Sequence, residues 1–346
     1  MSELKILLVS NAYPSASKKY SGIFVKNQYE ELNKQARDDE QITIFYLSRS
    51  ITGALGSAIK YIRLFFRFMP QLFKKYHVVH LHFFVPLISF VWLYKLFHPK
   101  TRLLVTFHGG DINLQVNKRN LWFYKPLARS IDLAIPVGEH VAANVRSKLD
   151  VANILVLPVG VDNRVFYPRK EVEKQFDFIY VGSFFHIKGI DIFYHTLCES
   201  DKSTRFCIVG KGDEYHKKFE ELIAQGYDIS LKIDQSHQQL STLYNQSRFL
   251  VLPSRSEGFP TVTVEAMFCG TPVITSDIPQ FKEQVRQGEN GFMFNREQPE
   301  DLLKLMDSSL RMSDEQYKQM SKQAIASFPH LALNTVCARI LKEYRC

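Results

Sequence analysis

Leu252-Pro-Ser-Arg-Ser-Glu257-Gly-Phe-Pro-Thr261-Val-Thr-Val-Glu265-Ala-Met267 carries two carboxylates on either side of a turn-forming centre. The apolar run Phe249–Leu252 reads as a strand, Pro253 to Pro260 as a loop, and the residues after it as a helix. Glu257 stands at the start of the helix, and Glu265 follows a little over two turns later if the helix begins promptly. The stretch from Gly258 through Phe259 and Pro260 to Thr261 offers backbone N–H groups at a helix N-terminus. Such N–H groups suit anionic oxygens, while flanking carboxylates can hold sugar hydroxyls. A plainer reading makes Glu257 a helix cap and Glu265 a solvated helix residue.

The same strand–loop–helix unit recurs along the chain. Short β-branched or apolar runs occur at Lys5–Ser10, Ile42–Leu47, Val78–His82, Arg102–Thr106, Leu133–Pro136 and Ile154–Leu157. A second series runs through Phe178–Val181, Arg205–Val209, Ile229–Ile233, Phe249–Leu252, Val273–Thr275 and Gly291–Phe294. Strands alternating with helices predict parallel sheets covered on both faces. Two series predict an α/β chain of two Rossmann-like doubly wound domains facing a central cleft. The expected boundaries are a first domain over 1–166, an exposed linker over 167–176 around Pro168, and a second domain over 177–327. Residues 328–346 are expected to form a C-terminal helix packing back on the first domain. A chain of 346 residues fits two domains.

Five cysteines, odd in number and without metal-ligand spacing, argue against a disulfide framework and against a structural zinc site. The N-terminus reads as a first strand rather than a signal peptide, and no uncharged apolar stretch reaches spanning length. The net charge of +9 is lopsided. Residues 1–168 hold 22 Lys and Arg against 11 Asp and Glu, whereas residues 169–346 hold 22 against 24. A basic half commonly meets phosphate. No nucleic-acid motif accompanies it, so nucleic acid is not an expected partner.

The frame Pro253, Ser254, Glu257, Gly258, Phe259, Glu265, Ala266, Met267, Gly270, Pro272, Val273 and Ile274 resembles that of the retaining nucleotide-sugar glycosyltransferases of family 4, whose fold is the two-domain GT-B. The resemblance implies that Glu257 and its loop (Gly258, Phe259, Pro260, Thr261) contact the donor sugar, and that Glu265 binds the nucleotide ribose. Tyr180-Val-Gly182-Ser183-Phe-Phe-His-Ile-Lys188-Gly189 is the second match. There Lys188 is placed to neutralise the donor diphosphate at a helix start. The family also has an Arg where this chain has Ser183, and Arg255 is the candidate to compensate. Gly210, in Ile208-Val-Gly210-Lys-Gly212-Asp213, is either near the nucleotide or a plain turn.

In the first half, Gly22 lies in a loop that in the family approaches the donor from the other rim. Thr106-Phe-His108-Gly109-Gly110-Asp111 resembles the segment whose His faces the donor sugar. Asp111 either binds acceptor hydroxyls or caps the next helix, and Glu139 is a further acceptor candidate. Lys188, Glu257 and His108 are thus the expected catalytic residues.

Residues 55–75 place Leu55, Ala58, Ile59, Ile62, Phe65, Phe66, Met69, Leu72 and Phe73 at helical spacing, opposite Lys60, Arg63, Arg67 and Lys74. Pro70 is expected to kink or split this helix. Two readings stand: a packed Rossmann helix with a basic outer face, or a helix lying in an anionic bilayer surface.

Taken together, these features lead to the expectation of a retaining hexosyltransferase. It would use a UDP- or GDP-sugar without a metal or other cofactor, and act on a lipid-linked oligosaccharide or surface polysaccharide precursor, as in lipopolysaccharide or capsule synthesis. Its place would be the cytoplasm, peripheral on the inner face of the cell membrane. The alternatives are another GT-B enzyme, such as a nucleotide-sugar epimerase or a phosphorylase, and a non-catalytic nucleotide-sugar binding subunit.

Overall fold

The structure, a computed structural model, describes residues 3–15, 22–46, 63–169 and 172–346. The chain divides into two compact units, unit 1 comprising Met1–Gly160 with Leu333–Cys346 and unit 2 comprising Val161–Ala332.

Unit 1 contains β1 (Leu4–Ser10), α1 (Ile23–Gln35), β2 (Glu40–Tyr46), β3 (Val78–His82), α2 (Ile88–Phe97), β4 (Arg102–Phe107), α3 (Leu121–Ala128), β5 (Leu133–Pro136) and α4 (Glu139–Leu149). Its five strands are parallel in the order β2-β1-β3-β4-β5. The central strands read as unbroken apolar runs because both faces are covered; Ile6, Leu7, Leu8 and Val9 are all at most 1% exposed.

The run Ile154–Leu157, expected as a sixth strand, makes only an isolated bridge to Ala134. Ala134 N–H donates to Asn153 O, and Leu155 and Leu157 N–H donate to Ala134 and Pro136 O. The bond that would complete the ladder needs an N–H on Pro136, which has none.

Unit 2 contains β6 (Phe176–Val181), α5 (Ile190–Glu199), β7 (Phe206–Val209), α6 (Asp213–Ala224), β8 (Ile229–Lys232), α7 (His237–Asn245), β9 (Ser247–Leu252), α8 (Thr261–Phe268), β10 (Val273–Ser276), α9 (Pro279–Lys282), β11 (Gly291–Phe294), α10 (Asp301–Leu310) and α11 (Asp314–Ala326). The parallel order is β11-β10-β9-β6-β7-β8.

The chain enters unit 2 at Val161, so residues 167–176 are not a free linker. Phe166 is 2% exposed in the core of unit 2, and the Asn245 side chain bonds Tyr167 O and Arg169 N–H. The Lys174 ammonium donates to Ser247 O at 2.7 Å. These charged residues looked solvated in the sequence because their partners lie more than seventy positions away.

The last helix, α12 (Leu333–Tyr344), belongs to unit 1. Val336, Cys337, Ile340 and Leu341 pack with Ile6 and Leu8 of β1 and Leu32 of α1.

Of the expected helix over 55–75, residues 55–62 lie outside the described residues. The remainder is helical over 63–68, then a 3₁₀ turn over Met69–Phe73 with Pro70 at its start. Leu64 and Phe68 are the inward side chains, whereas Phe66 and Phe73 are 68% and 82% exposed. Among the described residues no helix is long and apolar enough to cross a membrane.

Candidate active site

Ligands in doubly wound sheets bind beyond the carboxyl ends of the strands, where the strand order reverses. In unit 2 that point lies between β6 and β9, which are neighbours in the sheet. Each is followed by one of the two loops singled out above.

After β6, a single 3₁₀ turn (His186–Lys188) ends at Gly189, whose φ of 67° starts α5. A Cβ on Gly189 would stand 1.9 Å from the Pro253 carbonyl oxygen. Glycine therefore lets the two loops cross backbone against backbone. Arg255 fastens the crossing. Its N–H donates to Ile187 O at 2.9 Å, and its guanidinium donates to both Asp191 oxygens and to His186 O, all at 2.7 Å. Burial opposes ionisation of Asp191, yet the hydrogen bonds and charge of Arg255 outweigh it and hold that carboxyl below its ordinary value.

Through this crossing the Lys188 ammonium donates to Glu257 Oε2 at 2.6 Å, with the Lys188 side chain 30% exposed and that of Glu257 7%. Ser183 lies in the same loop, where Tyr180 Oη donates to its carbonyl at 3.2 Å. Arg255, the candidate to compensate for Ser183, is thus engaged by Asp191.

Glu265 sits about one turn into α8, is 7% exposed, and accepts from the Tyr244 hydroxyl at 3.2 Å. Burial raises its pKa, opposed by the charge of His237 and the hydroxyls of Thr261 and Tyr244. It is not the solvated helix residue of the plainer reading. Nor does Glu257 cap α8. No side chain caps α8, which begins at Thr261 after Gly258, Phe259 and Pro260, and none caps α5. By contrast, α7 and α11 carry complete capping boxes, Ser236 with Gln239 and Ser313 with Gln316. The helices that start at the switch point, like α6, α9 and α10, have no side-chain cap, so their first N–H groups can take an anion.

Gly210 meets this loop from β7. A Cβ there would stand 1.9 Å from the Gly182 carbonyl oxygen, and Gly182 N–H donates to Val209 O. The glycines at 182 and 210 therefore pack the two loops together.

In unit 1 the strand order reverses between β1 and β3. Gly22, at the start of α1 with φ 68°, would carry a Cβ 2.4 Å from the Ala12 backbone. The imidazole of His108, after β4, lies 4.9 Å from the Phe24 ring and 4.3 Å from the Phe83 ring. Its Nε2 is 3.2 Å from Nδ1 of His82. His82 shares a strand face with His80, two residues back. His80 Nδ1 and Nε2 contact the Tyr344 hydroxyl (2.6 Å) and Thr106 Oγ1 (2.7 Å). Burial pushes the pKa of all three imidazoles down, that of His82 to about 3. His82 was read only as a strand residue; the His-x-His alternation on β3 was the signal that could have found it.

Asp111 is 1% exposed. It accepts from the N–H groups of Phe84 (2.9 Å), His108 (3.1 Å) and Ile112 (3.1 Å). Burial raises its pKa to about 6 against these bonds. Its carboxylate anchors the loop that carries His108. Glu139 is exposed in the first turn of α4, with Arg146 Nη1 3.9 Å away. Among the described residues no three His, Cys, Asp or Glu side chains are grouped to hold a metal.

Two family descriptions match the chain: Glycosyl transferases group 1 over residues 164–327, and Glycosyltransferase Family 4 over 29–164. An uncharacterized glycosyltransferase of Methanocaldococcus jannaschii is 30% identical over 203 residues, covering 58% of this chain and 56% of that protein. The chain thus spans little more than half the length of that relative. The GDP-mannose:cellobiosyl-diphosphopolyprenol alpha-mannosyltransferase of Xanthomonas oryzae is 25% identical over 280 residues, 77% of this chain and 73% of that protein. Among solved structures, Anabaena HepE in complex with UDP and glucose superposes with a TM-score of 0.77 at 15% identity, covering 99% of both chains. The sucrose-phosphate synthase of Thermosynechococcus elongatus gives 0.75 at 18%, over 99% of this chain and 98% of that one. The likeness to these structures is one of fold, GT-B.

Proposed function

The chain belongs to the glycosyl transferases group 1, and from that premise we propose that it moves a sugar from a nucleotide diphosphate sugar to a hydroxyl of a lipid-linked oligosaccharide or surface polysaccharide precursor, with retention at the anomeric carbon. The observation that carries this reading is the Lys188–Glu257 pair at the switch point of unit 2, beside two helix starts without side-chain caps.

In the proposed reaction the bond from the anomeric carbon to the diphosphate oxygen breaks, and the acceptor oxygen bonds to the same face of that carbon. The departing phosphate takes the acceptor proton, so no protein base is named. Lys188 and the N–H groups of α5 and α8 meet the charge that develops on the diphosphate, and they do so preorganised. Glu257 aims the ammonium of Lys188 and holds donor-sugar hydroxyls through its second oxygen. Glu265 accepts from the ribose. His108 contacts a hydroxyl of the transferred sugar, and Gly22 lets backbone approach the donor. A UDP- or GDP-sugar is the proposed donor; the Anabaena relative of this fold binds UDP, and the Xanthomonas relative is named for GDP-mannose.

The polyprenol in that relative's name also favours a lipid-linked acceptor, and with it an enzyme peripheral on the inner face of the cell membrane. Unit 1 supports such docking. No Asp or Glu occurs between Glu40 and Asp111. Phe66, Phe73, Leu96 and Phe97 are exposed there, alongside Lys74, Lys75 and Lys100. Aromatic and basic groups together suit an anionic lipid surface.

A thermal-shift series against UDP-, GDP- and ADP-sugars tests the donor reading. Ligand at 100 times its Kd stabilises the folded state by about 2.7 kcal/mol. One nucleotide class is expected to raise the melting temperature, and its free nucleotide diphosphate to compete. No shift with any of them overturns the proposal.

A further inference from the structure

The histidines of unit 1 form a buried polar column whose hydrogen-bond arithmetic has few solutions. At its inner end the Tyr344 hydroxyl and His80 Nδ1 are 2.6 Å apart. If Tyr344 donates, its proton is used and His80 carries its own proton on Nε2, where Thr106 Oγ1 accepts at 2.7 Å. That arrangement uses the Tyr344 and His80 protons and leaves only the Thr106 hydroxyl proton outside these two contacts.

At the outer end, His82 Nδ1 and His108 Nε2 are 3.2 Å apart, so one nitrogen carries the shared proton. Two assignments exist for a pair of neutral imidazoles. If His108 donates from Nε2, His82 must carry its proton on Nε2. That nitrogen is buried with no hydrogen-bond partner, so the N–H would be an orphan. If His82 donates from Nδ1, its Nε2 keeps only a lone pair, and the proton of His108 resides on Nδ1. Buried donors without acceptors are the rarer and costlier defect. Both rings stay neutral at pH 7, because burial disfavours the imidazolium of each.

We propose that His82 is a positioning residue that donates from Nδ1 to His108 Nε2 and so fixes His108 as the tautomer protonated on Nδ1. His108 then presents a hydrogen-bond donor on the nitrogen that His82 does not engage, suited to an oxygen of a bound ligand and unable to serve there as a base. Three contacts keep the His108 ring from turning over: the Phe24 and Phe83 rings, and the bond from His108 N–H to Asp111 that ties down its backbone. The tilted ring contact of His80 with His82, centroids 4.6 Å apart, holds His82 in turn, and the Tyr344 hydroxyl holds His80. The role given to His108 rests on the transferase reading, but the tautomer does not.

The test is the pair of ring nitrogen shifts of His108, read by ¹⁵N NMR of the full chain labelled at histidine and assigned with His108→Gln. The expected pattern at pH 7 is a protonated Nδ1 and an unprotonated Nε2. His82→Phe keeps a flat ring in the stack but removes the donor, and His108 is expected to move to the Nε2-protonated form or to a mixture. His82→Asn places an amide N–H near the position of the imidazole Nδ1–H and is expected to restore the original pattern. Loss of one neutral hydrogen bond corresponds to about a tenfold fall in kcat/KM for His82→Phe, with recovery in His82→Asn. A wild-type His108 protonated on Nε2, or shifts unchanged in a folded His82→Phe, overturns the proposal. Should no donor bind at all, the shifts still decide the tautomer, so failure of the transferase reading shows up separately.

Discussion

At the strand ends of unit 2 a lysine and a glutamate meet as charges 2.6 Å apart, whereas at those of unit 1 three imidazoles are buried and held neutral. The surfaces are reversed. Unit 1 wears its cations outside, over a stretch without acids from Glu40 to Asp111, while the second half of the chain is nearly balanced in charge. Under the proposed function the difference is one of task. A group meant to meet a diphosphate must be ionised and already aimed, and a partly buried Lys–Glu pair achieves this because each partner offsets the desolvation of the other. A group meant to meet a hydroxyl needs only a fixed dipole, and neutrality keeps it the same over a wide pH range.

The sharpest way to break this comparison is at Lys188. Lys188→Ala removes the side-chain cation proposed to meet the leaving group, and kcat is expected to fall about 10²–10³-fold, the scale seen for losing one preorganised donor. Glu257→Gln keeps the shape but not the charge that aims Lys188, and a smaller loss is expected, closer to about tenfold. Steady-state assays on variants with unchanged circular dichroism check both. Turnover near normal in Lys188→Ala would remove the charge-centred account of unit 2.

The neutral cluster is tested by acid. His80, His82 and His108 have folded-state pKa values below the ordinary 6.5, so the unfolded chain takes up protons first as pH falls. Their contribution to stability is complete above about pH 6.5 and is lost progressively below it. Asp111 acts in the opposite sense. Its folded pKa of about 6 lies above the unfolded value, so between about pH 6 and pH 4 it binds a proton sooner when folded. Three imidazoles outnumber the carboxyl, so stability is expected to slope downward as pH falls below about 6.5. Urea titrations at pH 7.5, 6 and 5 measure this slope. His82→Phe should lessen it by about one proton, and a flat profile would show that the imidazoles are not held neutral.

The smallest effect belongs to the outer surface of unit 1. Arg63→Glu with Arg67→Glu should weaken cosedimentation with phosphatidylserine vesicles, each basic side chain counting for about 1 kcal/mol at low salt. Added salt should reduce the gap between variant and wild type. Equal binding by both would separate the basic surface from any role in docking.

Much of this was legible in the residues themselves. Val78–His82, Leu133–Pro136 and Gly291–Phe294 fall on the strands expected of them, because short runs rich in apolar residues between turn signals suit the strands of a parallel sheet. Lys188 and Glu257 were legible as separate signals. Their meeting was not, since it depends on β9 lying beside β6, a pairing across some seventy residues. The engagement of Arg255, the candidate to compensate for Ser183, was hidden for the same reason, as Asp191 lies 64 positions away. In residues 63–73 the helical period was present, but Pro70 ended the α-helix at 68. Leu64 and Phe68 face inward there, rather than Phe66 and Phe73. Periodicity fixes the spacing of a stripe, and only the packing partner fixes which stripe is inside.

The assignment of α12 to the first unit bears on how the protein is made. Residues 333–344 supply apolar side chains to the β1 layer and the hydroxyl that engages His80, so unit 1 stays unfinished until they have left the ribosome. Residues 161–332 emerge whole before that. The half translated second is therefore the half able to fold first, while the half translated first waits with an open groove for its closing helix.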